Sequence, residues 1–187
     1  MASIPVIESE RLVLRGHRLE DFQDSLAMWS DPGVARFIGG RPSTDEEVWA
    51  RLMRYIGHWE LLGFGYWVME ERASGRFVGE VGLANFHREL SPPLGDTPES
   101  GWALAAWARG RGFATEAVKA VLGWADLTLA APRTACLISP ENEASVRVAT
   151  KCGYVERLRT TYKSSPTILL ERPRREAGAP EASGASR

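Results

Sequence analysis

A mixed α/β (α+β) fold is predicted by three observations. Short strand-like apolar runs and helix-period stripes follow one another along the chain. A glycine corner, Arg109-Gly110-Arg111-Gly112, joins an apolar strand-like run from Trp102 to Trp107 to an amphipathic helical pattern starting near Ala114. At 187 residues, 44% hydrophobic and 25% charged, the chain is one domain's worth and long enough to bury a substantial core.

The elements follow in order. Leu12-Val13-Leu14, set between arginines, predicts a first strand. Phe22, Leu26 and Trp29 fall at i, i+4 and i+7, a short helix ended by Asp31-Pro32. Ser43 and Glu46 have capping-box spacing and open the clearest helix, with Val48, Leu52, Tyr55, Ile56 and Trp59 on one apolar face and Gly63 as its stop. Residues 64–70 and 76–86 predict an antiparallel hairpin through Ala73-Ser74-Gly75. A Pro- and Gly-rich loop over 87–98 precedes a central strand at 99–106, and Val118, Val121, Leu122 and Ala125 stripe the helix after the corner. A strand at 134–139, a helix at 142–152 and a closing strand pair at 154–161 and 167–172 complete the domain, 1–172. Residues 173–187 are Arg, Glu, Ala, Gly, Pro and Ser, a composition that predicts a disordered tail.

Composition narrows the function classes. A net charge of −1 argues against a nucleic-acid partner. The longest uncharged run, about Leu61 to Met69, falls well short of the ~18 residues of a membrane span. The opening Met-Ala-Ser-Ile-Pro-Val-Ile-Glu has neither a basic nor an apolar leader region, and the two cysteines, Cys136 and Cys152, suit a reducing compartment, so a cytoplasmic location is expected. Neither cysteine has metal-site neighbours, and His17 and His58 stand alone, so no metal is expected.

The corner carries the chemistry. Glycines at 110 and 112 let backbone N–H groups converge without Cβ interference, and the following helix aims its unsatisfied N–H groups and positive dipole end at the same spot. Such a strand–turn–helix corner cradles an anion, naturally a diphosphate. No Gly-Lys-Ser/Thr closes it and no G-x-G-x-x-G is present, so the nucleoside-triphosphate and dinucleotide loops are excluded.

Arg109-x-x-Gly112-x-Ala114 resembles the acyl-CoA motif of the GNAT acetyltransferases. Other stretches resemble the ribosomal-protein-acetylating, RimJ/RimL-like branch of that superfamily. They are Glu10-Arg11-Leu12-Val13-Leu14-Arg15, Leu19-Glu20-Asp21, Trp29-Ser30-Asp31-Pro32, Pro140-Glu141-Asn142-Glu143-Ala144-Ser145-Val146-Arg147 and Lys151-Cys152-Gly153-Tyr154. The set spans about residues 8–156 in the family's order. The resemblance implies a mostly antiparallel sheet whose central parallel strand pair splays apart to admit the acyl-CoA arm. It implies acetyl-CoA as co-substrate, an amine acceptor, direct attack in a ternary complex and, commonly, a homodimer.

Site residues follow from the same resemblance. Backbone N–H groups of Arg109, Gly110, Arg111, Gly112, Phe113, Ala114 and Thr115 would hold the diphosphate, with the two arginine side chains adding charge. Leu104, Ala105 and Ala106 would hold the pantetheine arm by sheet-like hydrogen bonds and offer an N–H to the thioester oxygen; the plain alternative is small core residues. Asn142 would steady the arm and Ser145 hydrogen-bond or protonate the departing thiol, with an ordered water as the alternative acid, although by spacing alone Asn142 is a helix N-cap and Ser145 a first-turn residue. The tyrosine many family members use as general acid falls at Ala149. Glu99, heading the central strand, is the candidate general base or else a structural or orienting charge, with Glu80 and His87 weaker candidates. Glu116 fits a structural acid in its helix's first turn, and Cys152 a packed thiol.

The acceptor stays open between a protein N-terminal amine and a small amine. Glu89, Asp96 and Glu99 would favour a cationic acceptor if they stood at the pocket mouth, and Trp29, Trp59 and Trp67 are candidate pocket walls. A catalytically weak acyl-CoA-bound sensor on the same fold is the competing class.

Overall fold

The computed structural model describes residues 3–175. Its centre is β4 (Phe77–Ala84), buried along its whole length, as a strand covered on both faces must be. Eight strands form one sheet in the order β1-β2-β3-β4-β5-β6-β8-β7, where β1 is Ile7–Glu8, β2 Leu12–Arg15, β3 Tyr66–Glu71, β5 Glu99–Leu104, β6 Arg133–Ile138, β7 Val155–Tyr162 and β8 Ser165–Pro173. Every neighbouring pair is antiparallel except β5 and β6. The short β1, paired through Ile7 and Glu8, carried no alternation long enough to be predicted.

Helices cover both faces, and the pleat of β3 sorts the residues between them. Trp67 and Met69 join the core under α4 (Phe113–Thr128), with Phe113, Val118 and Val121. Val68 joins Met28, Trp29 and Val48, from α1 (Phe22–Trp29) and α3 (Asp45–Leu62), on the other face. A single turn, α2 (Pro32–Ala35), is capped by Asp31, whose side chain accepts from the Gly33 N–H. All four stripe residues predicted for α4 are at most 4% exposed, each burial stabilising by about 1.5–3 kcal/mol for the larger side chains.

Several boundaries moved for identifiable reasons. The capping box of α3 uses Thr44 and Glu47, one residue later than Ser43 and Glu46, and Arg41 clamps Glu47 from outside, holding its carboxyl down to about 2. Ile56, assigned to the apolar face, is 38% exposed, while His58 packs inward and bonds the backbone oxygens of Arg54 and Asn85. The central strand stops at Leu104 because Ala106–Ala108 tightens into a 3₁₀ turn. β7 and β8 meet through Lys163 and Ser164, both at positive φ, the two-residue turn whose twist suits a hairpin. Pro173 belongs to β8, and the Arg174 and Arg175 N–H groups reach Pro132 and Asp126; the rest of the predicted tail, 176–187, lies outside the described residues.

Candidate active site

The glycine corner is built from main chain. Gly110 and Gly112 hold φ of 75° and 85°, the left-handed region that glycine enters freely. Gly112 is the N-cap of α4 and offers no side chain, so the first N–H groups of the helix, Phe113 to Thr115, keep no capping partner. Arg109 and Arg111 are less free than predicted. The Arg109 guanidinium bonds Asp31 at 3.1 Å and the Leu104 carbonyl at 3.3 Å, and Arg111 pairs with Glu71 at 3.3 Å. Glu116 is a structural acid here: it accepts from the Arg11 N–H at 2.7 Å, from the Arg11 side chain and from Ser9, straps the N-terminal arm onto the corner, and its carboxyl is held below the ordinary range by those bonds despite partial burial.

Beside the corner the sheet opens. β5 and β6 pair at one position, Glu99 with Ala135, and then part. The ladder shows which groups face the gap. The Ala105 N–H donates to Val78 on β4, whereas the Pro98 carbonyl accepts from Ala135 on β6. By the two-residue alternation of the strand, Trp102 and Leu104 therefore turn their backbone groups toward the gap. Of the predicted Leu104-Ala105-Ala106 stretch, only Leu104 has that orientation in a strand; the Ala105 N–H is committed to β4 and Ala106 lies in the 3₁₀ turn. Trp102 is the residue that sequence reasoning missed, since only the register reveals it.

A cleft of about 580 Å³ runs from the parted edges, through Asn142 and Ser145, to Trp29, Arg51, Tyr55 and Tyr66 under α1 and α3. Asn142 caps α5 (Glu143–Lys151), its Oδ1 accepting from the Ser145 N–H at 3.2 Å. The structure thus brings Asn142, Ser145 and Glu99 to one cavity, while residues 109–115 lie outside its walls. Ala149, in the position of the family's acid tyrosine, is fully buried.

Glu99 is not poised as a free base. Its two carboxylate oxygens are taken by Arg88, at 2.5 and 2.6 Å, and that guanidinium also donates to the Tyr162 hydroxyl at 3.2 Å. Such a bidentate pair is strong and directional, and it leaves a carboxylate little freedom to accept a substrate proton. Glu80 is buried behind Trp29, accepting from Ser25 Oγ at 2.7 Å and Trp29 Nε1 at 2.9 Å, with His17 Nε2 3.6 Å away. Burial pushes its carboxyl up, but these partners win and hold it below the usual range. His87 is exposed, in a smaller recess beside the cleft.

Of the acids considered for a pocket mouth, neither Glu89 nor Asp96 lines the cleft, Asp96 lines the smaller recess beside it with Glu99, and Glu99 is paired with Arg88. Of three candidate tryptophan walls, Trp29 lines it; Trp59 and Trp67 instead form an edge-to-face cluster with Trp124 in the core. Arg51, Tyr55, Tyr66 and Arg88 are wall residues that no motif marked. Tyr66 and Tyr55 stack at 4.4 Å, and the Tyr66 hydroxyl occupies the space a Cβ at Gly101 would need, which gives that glycine its purpose. Cys152 is a packed thiol, its pKa raised by burial to about 11. Among the described residues no helix is long and apolar enough to cross a membrane, and no group of His, Cys, Asp and Glu could hold a metal ion.

Comparison with known proteins agrees with this geometry. The acetyltransferase (GNAT) domain profile matches residues 11–155. An uncharacterized Bacillus subtilis protein, YkkB, is 32% identical over 150 residues, covering 78% of this chain and 81% of that one. A solved Bordetella pertussis protein assigned to the GNAT-family acetyltransferases superposes with a TM-score of 0.80 at 30% identity, over 90% of this chain and 99% of its own. More distantly, a Vibrio cholerae spermidine N-acetyltransferase, solved with CoA and spermine, shares the fold at a TM-score of 0.70 and 18% identity, over 89% of this chain and 97% of that one. Profile, relatives and splayed sheet agree, and the chain belongs to the GNAT acetyltransferase family.

Proposed function

We propose that this chain moves an acetyl group from acetyl-CoA to a primary amine by direct attack within a ternary complex. The observation that carries this is the parting of β5 and β6 after one pairing, with an uncapped helix start on one side and a deep cleft on the other. The amides from Gly110 to Thr115 hold the diphosphate, and the gap-facing backbone of Trp102 and Leu104 lies along the pantetheine arm, with Asn142 opposite. In the transfer the amine lone pair attacks the thioester carbonyl, a C–N bond forms and the C–S bond breaks. A backbone N–H of β5 steadies the charge on the carbonyl oxygen, a contribution of about 3 kcal/mol where the donor is well placed.

Two protons move. Sulfur gains one from the Ser145 hydroxyl, the amine loses one to water in the open cleft once the C–N bond has formed, and that water returns a proton to Ser145, with Glu99 acting through Arg88 as a positioning residue. The motif order further supports the RimJ/RimL-like branch, in which a protein N-terminal amine and a small amine are both candidate acceptors. Incubation with acetyl-CoA and a mixed panel of peptides and small amines, following free thiol, tests the proposal. Thiol release above the rate with water alone is the expected result. A thermal shift with acetyl-CoA and no release from any acceptor would instead identify an acyl-CoA-bound sensor, a reading favoured by the burial of Ala149 where an acid would stand.

A further inference from the structure

The cleft opposes the chain in charge. The whole molecule carries −1, yet the charged cleft walls are Arg36, Arg51, Arg88 and Lys163 against Glu99 and Glu141, four positive to two negative and a surplus of two. Arg88 and Glu99 cancel each other as a pair. Arg51 has no carboxylate partner: among the described residues it forms no ion pair, its guanidinium interacts with the Tyr55 hydroxyl, and its buried Nε has no hydrogen-bond acceptor. The guanidinium carbon lies 3.7 Å from the Trp29 ring centroid, so one face is stacked and the N–H groups not turned to Tyr55 are left for a ligand.

The donor does not explain this charge. Its diphosphate site is the corner over 110–115, outside the cleft walls, whereas Arg51 stands at the far end with Tyr55 and Tyr66. The neighbouring Arg54 guanidinium is pushed down first by burial and then by the Arg51 charge, while the Glu80 and Glu99 carboxylates act in the opposite sense on Tyr55 and Tyr66. We infer that the acceptor end selects a small amine that also carries a carboxylate, with Arg51 as the residue that binds it. A single planar guanidinium edge matches a carboxylate through two parallel hydrogen bonds, and a surplus of positive charge disfavours a diamine. It rests on the acetyl transfer proposed above and names the class of acceptor.

The test compares ω-amino acids from glycine to 6-aminohexanoate with the alkylamine and the diamine of equal length. Free-thiol release is measured for each with acetyl-CoA, in the wild type, Arg51→Gln and Arg51→Lys. The expected ranking by kcat/KM is amino acid above alkylamine above diamine. The amino-acid preference should fall about ten-fold in Arg51→Gln and be partly kept in Arg51→Lys, since one good charged contact corresponds to roughly that factor. A diamine used as well as the amino acid, or a preference unchanged in Arg51→Gln, overturns the inference while leaving acetyl transfer intact. Release from no amine sinks the transferase reading instead. The inference is then decided by equilibrium binding of the same compounds to the CoA-saturated protein: carboxylate-dependent binding weakened in Arg51→Gln upholds it, and equal or absent binding refutes it. Should Arg51→Gln fail to fold, the wild-type ranking and Arg51→Lys decide the outcome.

Discussion

The proposed donor corner and the proposed acceptor end of the cleft are built from different materials. At the corner the working groups are consecutive backbone amides, and the side chains around them, Arg11, Arg109 and Arg111, are spent on Glu116, Asp31 and Glu71. At the acceptor end the working groups are side chains gathered from α1, α3, β3, β5 and the loop before it: Trp29, Arg51, Tyr55, Tyr66, Arg88 and Glu99. A backbone site recognises what every acyl-CoA shares. A side-chain site recognises one acceptor, and it can change while the fold and the donor site stay fixed.

The largest expected effect breaks the donor half. Gly112→Asp places negative charge beside the diphosphate amides and should weaken acetyl-CoA binding by more than about 100-fold, an interaction loss of ~3 kcal/mol. Gly112→Asn carries nearly the same backbone strain at φ of 85° without the charge, and should cost no more than about ten-fold. Calorimetric titration of both variants separates strain from charge, and equal affinities would remove the corner as the diphosphate site.

Acid should loosen both halves, because Glu116 and Asp126 on α4 are also held below the ordinary carboxyl range. Asp21, clamped by Arg15 at 2.6 and 2.8 Å, and Glu80 both lie buried under the acceptor half, and in both hydrogen bonds outweigh burial and hold the carboxyl below its ordinary value. A carboxyl depressed in the folded state adds stability that is full above its unfolded pKa and lost as pH falls through the folded one. Stability should therefore be level from pH 7 to about 5 and fall on the order of 2 kcal/mol below about pH 4. Hydrogen exchange in α1, in the arm after β2 and at both ends of α4 should rise over the same pH range, and exchange that stays level in all of them would contradict the prediction.

Chemistry gives smaller changes. Ser145→Ala should slow turnover about ten-fold with acetyl-CoA affinity nearly unaltered, the pattern of an interaction made at the departing sulfur. Unchanged kcat would return Ser145 to an ordinary first-turn residue. Glu99→Gln should stay within about ten-fold of the wild type and keep the shape of its pH–rate profile, because an amide oxygen can still accept from Arg88. Loss of a true general base costs about 10²–10⁴-fold. A fall of that size, with the basic limb altered, would make Glu99 the base after all.

How far the sequence reaches is clear from particular residues. The α4 stripe, the Gly63 stop, the glycine corner and the ordered motifs all depend on spacing within a few residues, which a linear chain displays. The antiparallel hairpin of β3 and β4 was legible for the same reason. Arg51 was hidden because its neighbours are Trp29 and Tyr66, on other elements, and its own spacing on α3 looks like a solvated helical position. Glu99 was visible as an acid at a strand start, but Arg88, eleven residues earlier and folded back onto it, decided what that acid can do.

From the sequence alone came the fold class, the order of its elements and the glycine turn proposed to bind phosphate, since those are set by local periodicity and by which residues tolerate a left-handed backbone. Tertiary structure decided which strand faces open into the gap, which carboxylates are neutralised and what sign of charge the acceptor meets. Those properties depend on pairings between residues far apart in the chain, and charge in a cleft is a sum over walls that only folding assembles.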